Sequence, residues 1–495
     1  MVNPISAAIG ANPLNLRVWN HDYTANRKLA GYIDVELGEE FGVVLGQGSI
    51  TVPAQHPLAG RIMQASYDVV PLTADNGNGW EWTGQVVDPI AEGKPGRETI
   101  TATLVDEIRH LQYTPAWPST RTPLEIQTKR DYQIAPLHTA AIHYIAENFA
   151  RTGVPAYIMM PPPRLEDKSP HVDIAAKMTP LDELLAPFFE RHEYHLDIKM
   201  WWPGKPFPDG KMVALVEGDT LHRQAALTLA QLDLVFNPRG RRLFEPTVPG
   251  LLVQVKKPRN REHVRFATNG RGVEQIRLSG KSPGAVTAIA GGKSDDWINE
   301  LMSLSIDMAV QGILVALGTM AGPAGAIVGG VVSNILAQQL TDMLIAYQQR
   351  KDVRRAAAMG PFHPRESFTS SSAGALTLDT AALTERKLVE DQGGQAIDLT
   401  LADGVGITLG EDRVMPNGKM RRGYQVGDRC TFHEHLSGTT FSDLITGVTV
   451  KDSVEERVRV KPRVGKRRNA SNPWLDTAEV LGKVLNMQQD LGLSG

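Results

Sequence analysis

Histidine and cysteine side chains offer the first chemistry in this sequence. CTFHEH places Cys430, His433 and His435 within one short stretch. On a strand, alternate side chains share a face, so His433 and His435 project together while Cys430 points away. Two imidazoles are half of a metal site, and no third ligand is evident on that face. A solvated strand face carrying two histidines explains the pattern, and we expect no metal. In ERHEYH the change from helix to strand separates His192 from His195. The lone cysteine excludes internal disulfides and every zinc site built on two or more thiolates.

Patterns for covalent or phosphate chemistry are absent. The sequence has no GxSxG, no HExxH and no Walker loop, and GKS at 280–282 and 292–294 lacks the upstream glycine at the required distance. NGRG and LGQGS are single glycine-rich turns. Acid pairs cannot nominate a glycosidase couple, because that chemistry is set by a spatial separation. We therefore expect a protein that is not an enzyme, with no catalytic residues and no cofactor.

Two basic clusters remain. The first holds Lys256, Lys257, Arg259, Arg261, Arg265 and Arg271 against Glu262. The second holds Arg457, Arg459, Lys461, Arg463, Lys466, Arg467 and Arg468. Phosphate contact is one reading. The first cluster lacks interleaved aromatics, however, and Val458 and Val460 alternate in the second as on a strand with one charged face. Lys and Arg commonly guard strand edges, so solvated edges or protein interfaces fit better. Over the whole chain 52 basic residues meet 55 acidic ones, which excludes a surface wholly devoted to nucleic acid. Among the aromatics, Trp80 and Trp82 share a strand face and could stack on a glycan or fill a core. Trp201 and Trp202 are adjacent and face opposite ways.

The elements that must position these groups are mostly strands. At 495 residues the chain predicts three or four domains. Its 46 glycines and 32 prolines exceed the ordinary combined share of about 12%, which favours short strands and frequent turns. In 1–120, apolar residues alternate in YIDVEL, GSITVP, WEW and ETITATL, and VDEIRHL adds a short helix, giving a β domain. Residues 121–204 read as a small α/β unit. Leu137, Ala141, Ile142, Ile145 and Phe149 mark one helix face, and a second helix spans 180–192 with Thr179 as its cap and Pro187 inside. A strand follows in YHLDIKMWW. Residues 205–298 read as a β segment through MVALVEG, LLVQVKK and VRFATNGRGVEQIRL. A linker covers 359–374, and 375–468 returns to strands, with Ile407 and Leu409, Val448 and Val450, and Val458 and Val460 alternating. Residues 469–495 are a polar linker and an amphipathic helix marked by Trp474, Ala478, Leu481 and Leu485.

The most unusual segment lies within 299–358. No charged residue occurs from 308 to 341, and 312–332 is long enough to span a bilayer as one helix. Its centre reads AGPAG, so an apolar helical hairpin is expected, with an amphipathic downstream arm through TDMLIAYQQRKDVRRA. Leu314, Leu317, Gly318, Gly322, Pro323, Gly325, Val328, Gly329 and Val332 are its candidate packing or membrane-active residues. The glycines permit close backbone approach. Burial in an assembly and insertion into a membrane both account for it. No secretory signal heads the chain, so synthesis in a cytoplasm is expected.

The order of these blocks resembles a known family. WEWTGQVVDPI and ETITATLVDEIRHLQYTPAWP, the α/β unit, and then GVGITLGEDRV, GYQVGDRCTFHEH and SDLITGVTVKDSVEERVRVKPRVG are similar to long-tailed (siphovirus) phage minor tail proteins of the baseplate or tail-tip hub type, as in mycobacteriophages. The quoted blocks cover under half the chain. The resemblance implies a β-rich, multidomain α+β fold with two tube-like β-barrel domains, the first at 1–120 and the second including 205–298. It implies a homotrimer at the distal end of the virion tail, made in the host cytoplasm. Its partners would be the distal tail protein, the tape-measure protein and other tail-tip or fibre proteins, and viral DNA would pass through it during infection. The alternative is a tail-tip protein that binds host envelope glycan or contacts the host membrane through the apolar hairpin. The family implies no catalytic residues, cofactor or metal.

Overall fold

The computed structural model describes residues 14–127, 131–237, 246–270, 273–292, 346–370, 387–388, 391, 393–402, 407–415, 418–436, 438–454 and 458–465. The apolar segment from Leu314 to Val332 and the stretch with Trp474, Ala478, Leu481 and Leu485 lie outside the described residues. So do Arg271, Arg457, Lys466, Arg467 and Arg468. Two compact units emerge, Met1–Ser279 with Ala396–Gly495, and Gly280–Gln395.

Seven strands open the first unit: β1 Asn15–Trp19, β2 Asn26–Leu29, β3 Asp34–Glu40, β4 Gln47–Pro53, β5 Val70–Asp75, β6 Glu81–Glu92 and β7 Thr99–Asp106, with the short helices α1 Ala59–Met63 and α2 Arg109–Gln112. The alternation read from sequence is what buries. Val35 and Leu37 on β3, Ile50 and Val52 on β4, and Ile100, Ala102 and Leu104 on β7 all enter one core, because every second strand residue faces the same side.

An α/β layer follows: β8 Asp131–Pro136, α3 Leu137–Thr152, β9 Ala156–Met159, β10 His171–Ala176, α4 Leu181–His192, β11 His195–Trp201, β12 Met212–Ala214, α5 Thr220–Phe236 and β13 Gly250–Lys256. Its strands form a ribbon of β10 and β8 and a sheet ordered β11-β13-β9-β12. Helix α3 buries the face marked by Leu137, Ala141, Ile142, Ile145 and Phe149. Gly153 ends it at φ +80°, a left-handed conformation that glycine adopts without steric penalty, and its N–H returns to the Phe149 carbonyl at 2.9 Å. At α4 the cap position belongs to Pro180 rather than Thr179, with no side-chain cap bond. Proline's fixed φ suits a helix entry, and the first-turn Leu181 N–H donates to the Thr114 carbonyl at 3.1 Å instead of to a capping hydroxyl.

The chain then gives β14 Arg259–Ala267 and β15 Val273–Lys281 before entering the second unit. That unit holds β16 Thr287–Gly292, β17 Ala346–Lys351, α6 Val353–Met359 and β18 Glu366–Ser370, with strand order β17-β16-β18. The chain returns to the first unit through β19 Gly394–Ala402, β20 Ile407–Leu409, β21 Arg413–Val414, β22 Met420–Tyr424, β23 Asp428–Glu434, β24 Thr439–Ser453 and β25 Arg459–Val464.

The late strands complete the early sheet. Its order is β15-β19-β25-β24-β3-β4-β7-β6-β5-β1-β2, with β23 joining β14 to β24. Strand β24 runs antiparallel to β3 from Gly447 opposite Glu40 to Ser453 opposite Asp34. Val448, Val450, Val460 and Val464 thereby share a core with Val35 and Leu37.

Three expectations are corrected. No described sheet closes into a barrel: the large one starts at β15 and ends at β2. It is strongly curled instead. Strands β6 and β3 are separated by β4 and β7, a span of about 14 Å on a flat sheet, yet Trp82 Nε1 donates to the Gly38 carbonyl at 2.9 Å and Trp80 Nε1 to Glu39 Oε2 at 2.8 Å. Second, the stretch read as a β segment contains α5, a 17-residue helix capped by Asp219, whose Oδ1 accepts from the His222 N–H. Third, the arm read as helical through TDMLIAYQQRKDVRRA contains strand β17 ahead of helix α6, paired antiparallel with β16 from Thr287 opposite Lys351 to Gly292 opposite Ala346. A neighbouring strand satisfies its backbone there, overriding local pattern.

Candidate functional site

The groups singled out from sequence do not converge. Strand β23 alternates as expected, with Cys430 buried and His433 exposed; His435, just past its end, is also exposed. Each imidazole engages a different hydroxyl: His433 Nδ1 lies 3.0 Å from Thr440 Oγ1, and His435 Nδ1 lies 2.6 Å from Thr268 Oγ1. Burial, reinforced by the nearby Asp428 carboxylate, pushes the Cys430 thiol up to about 12. At pH 8 its thiolate fraction is then about a thousandfold below that of a free thiol. An aromatic disulfide reagent should therefore leave the native chain unlabelled and titrate one thiol after denaturation. Rapid labelling of the folded chain would contradict this burial.

The four tryptophans singled out from sequence do not form a glycan platform. Trp80, Trp82 and Trp201 are buried. Trp201 packs edge-on to Tyr157 and Phe207, while Trp202 is covered by Trp19 at 4.9 Å and by Lys205 Nζ at 4.0 Å. Several described members of the basic clusters are engaged within the chain. Arg259 grips Asp428 through two bonds of 2.7 and 2.9 Å and reaches Glu411 at 3.0 Å. Arg261 bonds Asp412 at 2.6 Å, Arg459 bonds Glu274 at 2.7 Å, and Arg463 holds both oxygens of Glu40. Among the described residues no helix is long and apolar enough to cross a membrane.

The densest polar site is one that the sequence reading passed over. On β11, Leu196 and Ile198 bury into the α/β layer, so His195, Asp197 and Lys199 face the other way. Opposite them stand Glu39 on β3 and Lys256 on β13. An ionisable residue at every second position of HLDIK was the available signal, but its partners come from strands far away in sequence. Glu39, His195 and Asp197 place ligand atoms within 4.8 Å of one another, the spacing of a metal site. Beside them is a cavity of about 160 Å³ lined in part by Phe41, Trp80, Lys257 and Arg259.

The donor set argues that lysines, not a metal, complete this cluster. Lys199 Nζ lies 3.1 Å from Glu39 Oε1 and 3.8 Å from Asp197 Oδ1, and Lys256 donates to Asp197. Glu39 Oε2 already accepts from Trp80. The Gly42 N–H donates to His195 Nδ1 at 3.1 Å, which leaves the neutral ring's proton on Nε2. Phe41 stacks on that ring at 5.4 Å. Burial favours the uncharged imidazole and outweighs the carboxylates nearby. Two carboxylates thus face two ammonium groups, and the charge is balanced.

The same contacts suppress proton exchange. Burial would raise the Asp197 carboxyl, but Lys199 and Lys256 outweigh it and hold the group well below the usual carboxylate range. Burial would lower Lys199, but Glu39 and Asp197 hold it well above the usual ammonium range. Neither group is poised near neutral pH for acid or base catalysis. The cluster joins the α/β layer to the curled sheet, helped by the Met200 N–H donating to Thr83 Oγ1 at 2.9 Å and Lys205 meeting Glu81 at 2.7 Å.

A family model described as siphovirus ReqiPepy6 Gp37-like protein matches residues 15–466. No curated protein matches the chain. Among solved structures, it is similar to the tail protein from Neisseria meningitidis MC58, with 10% identity, 92% of this chain and 96% of that chain covered, and a TM-score of 0.44. The prophage MuSo2 43 kDa tail protein from Shewanella oneidensis gives 11% identity, coverage of 92% and 98%, and a TM-score of 0.45. The prophage tail protein gp18 from Listeria monocytogenes EGD-e gives 7%, 95% and 99%, and 0.41.

Proposed function

The chain belongs to the siphovirus ReqiPepy6 Gp37-like family, a family of structural phage tail proteins and not of enzymes, and from that premise we propose that it is the hub of the tail tip. In this reading it assembles as a homotrimer that closes the distal tail tube. It contacts the distal tail protein, surrounds the end of the tape-measure protein, carries tip or fibre proteins, and opens for DNA during infection. Two curled, tube-like β domains supply the collar, one around β1 to β7 and the other around β14 and β19 to β25.

The observation that carries this reading is the antiparallel joining of β24 to β3. It binds the two ends of a long chain into one continuous sheet, as a part under mechanical load requires, while Asp197 and Lys199 in the ionic cluster behind it keep their charges near neutral pH. A formal net charge of −3 suits a channel that DNA slides through without adhering. In this scheme the apolar segment that holds Leu314, Leu317, Gly318, Gly322, Pro323, Gly325, Val328, Gly329 and Val332 packs between subunits.

Immunogold labelling of intact virions against this chain tests the proposal. Gold confined to the distal tail end is expected, and virions carrying Leu314→Asp with Val328→Asp should show no assembled tails. Gold along the whole tube or at the head junction would overturn the assignment. Normal tails from the double variant would overturn the packing role of the hairpin.

A further inference from the structure

One cation of the first basic cluster is left over. In the turn from β13 to β14, Lys256 donates to Asp197, and Arg259 donates to Asp428 and Glu411. Lys257, between them, meets no carboxylate among the described residues. Its Nζ lies over the Tyr194 ring, 5.6 Å from the centroid. This exposed lysine lines the cavity of about 160 Å³ beside the ionic cluster, together with Phe41, Trp80 and His195.

The hydrogen-bonding capacity left around that cavity is one-sided. Glu39 accepts from Lys199 and Trp80, Asp197 from Lys256, and Asp428 from both arms of Arg259 and from the Gln425 N–H. Each carboxylate on the wall is therefore occupied, and the donors are not. The Lys257 ammonium keeps all its N–H bonds available. Gly42 takes the His195 Nδ1, and the Nε2–H of that ring has no partner among the described residues. A ligand that satisfies these groups must bring acceptors.

Charge and volume narrow the ligand further. On the wall, Lys199, Lys256 and Arg259 offset Glu39, Asp197 and Asp428, so Lys257 stands as one positive charge in excess. Glu411, which also meets Arg259, is half exposed and does not line the cavity. A carboxylate supplies the single negative charge required, whereas a phosphate monoester brings up to two. The space exceeds what a bare carboxylate fills: an engineered cavity of about 150 Å³ takes up benzene. Phe41 and His195, stacked within 17° of parallel, stand with Trp80 as flat walls for a ring.

We infer that this cavity binds a small carboxylate carried on a six-membered ring, with the carboxylate at Lys257 and the His195 Nε2–H and the ring against Phe41 and Trp80. Aromatic acids and acidic sugars share that chemistry, and benzoate and glucuronate distinguish them as probes. The test is saturation-transfer NMR on the full-length chain, titrated with each probe. Saturable transfer to the ring protons of at least one is expected, and the tighter of the two gives the class. The matching neutral amide, benzamide or glucuronamide, should bind at least tenfold more weakly. Lys257→Gln should cost at least about tenfold in affinity, the usual worth of a hydrogen bond to a charged group. Lys257→Arg keeps the charge and should recover most of it. The exposed Lys257 side chain holds no ion pair among the described residues, so the fold is not at stake in either variant. No saturable transfer to either acid, equal affinity for acid and amide, or unchanged binding by Lys257→Gln would overturn the inference. It needs nothing of the tail-tip reading, and none of these outcomes changes where gold labels the virion, so the two readings fail separately.

Discussion

Trp82→Ala should lower the unfolding free energy by about 4 kcal/mol, in the range for deleting a buried tryptophan. The ring is 2% exposed, and its Nε1–H holds the Gly38 carbonyl across two intervening strands. Truncation leaves a cavity and a buried carbonyl without its donor, and it releases the curl that brings β6 over β3. The neighbouring glycine confirms how closely the ring is seated: a side chain at Gly84 would begin 2.5 Å from Trp82 and 2.1 Å from the Val105 carbonyl. Guanidinium denaturation followed by far-UV circular dichroism measures the loss. Trp82→Phe should recover part of it, since it refills volume but donates nothing. A loss below about 1 kcal/mol for the alanine variant would mean that the curl is held elsewhere.

The second large effect is expected at Lys199. Lys199→Met should destabilise the chain by roughly 3 kcal/mol, because it removes one member of a largely buried ionic group and leaves the other side's charge unpaired. The Glu39 and Asp197 side chains are only 14% and 12% exposed, too little for water to replace the ammonium. Combining Lys199→Met with Glu39→Gln should restore much of the loss, since balanced removal of a buried pair is far milder than removal of one partner. Equal losses in the single and double variants would show that Lys199 acts through packing alone.

The pH dependence carries a sign that can be checked on the same variants. Asp197 is held below its usual range in the folded chain, so its contribution is complete above pH about 4 and fades as pH falls through the folded value. Lys199 is held above its usual range, so its contribution is complete below pH about 10 and fades as pH rises through the folded value. Burial holds His195 below its usual range when folded, so stability falls as the solution drops below pH about 6.5, where the unfolded ring takes up a proton that the folded one resists. The wild type should therefore be most stable between pH about 7 and 10. Lys199→Met should lose the alkaline shoulder first.

The sequence by itself determined what local pattern can carry. Alternation in YIDVEL, GSITVP and ETITATL marked β3, β4 and β7, and the apolar face from Leu137 to Phe149 marked α3, because burial on one side imposes a period that neighbouring residues reveal. One cysteine ruled out disulfides, and the lack of catalytic patterns agreed with the family that the quoted blocks resemble. Helix α5 was not legible because its apolar residues cover both faces, which erases the contrast on which a helical period depends. Strand β17 was not legible because its backbone partner, β16, lies more than fifty residues earlier. The tertiary structure alone decided that β24 lies against β3, that tryptophans on β6 reach that same strand, and that Glu39, Asp197, Lys199 and Lys256 meet. Each is a contact between segments remote in sequence, and pairing of that kind depends on register and sheet curvature, which no local pattern encodes.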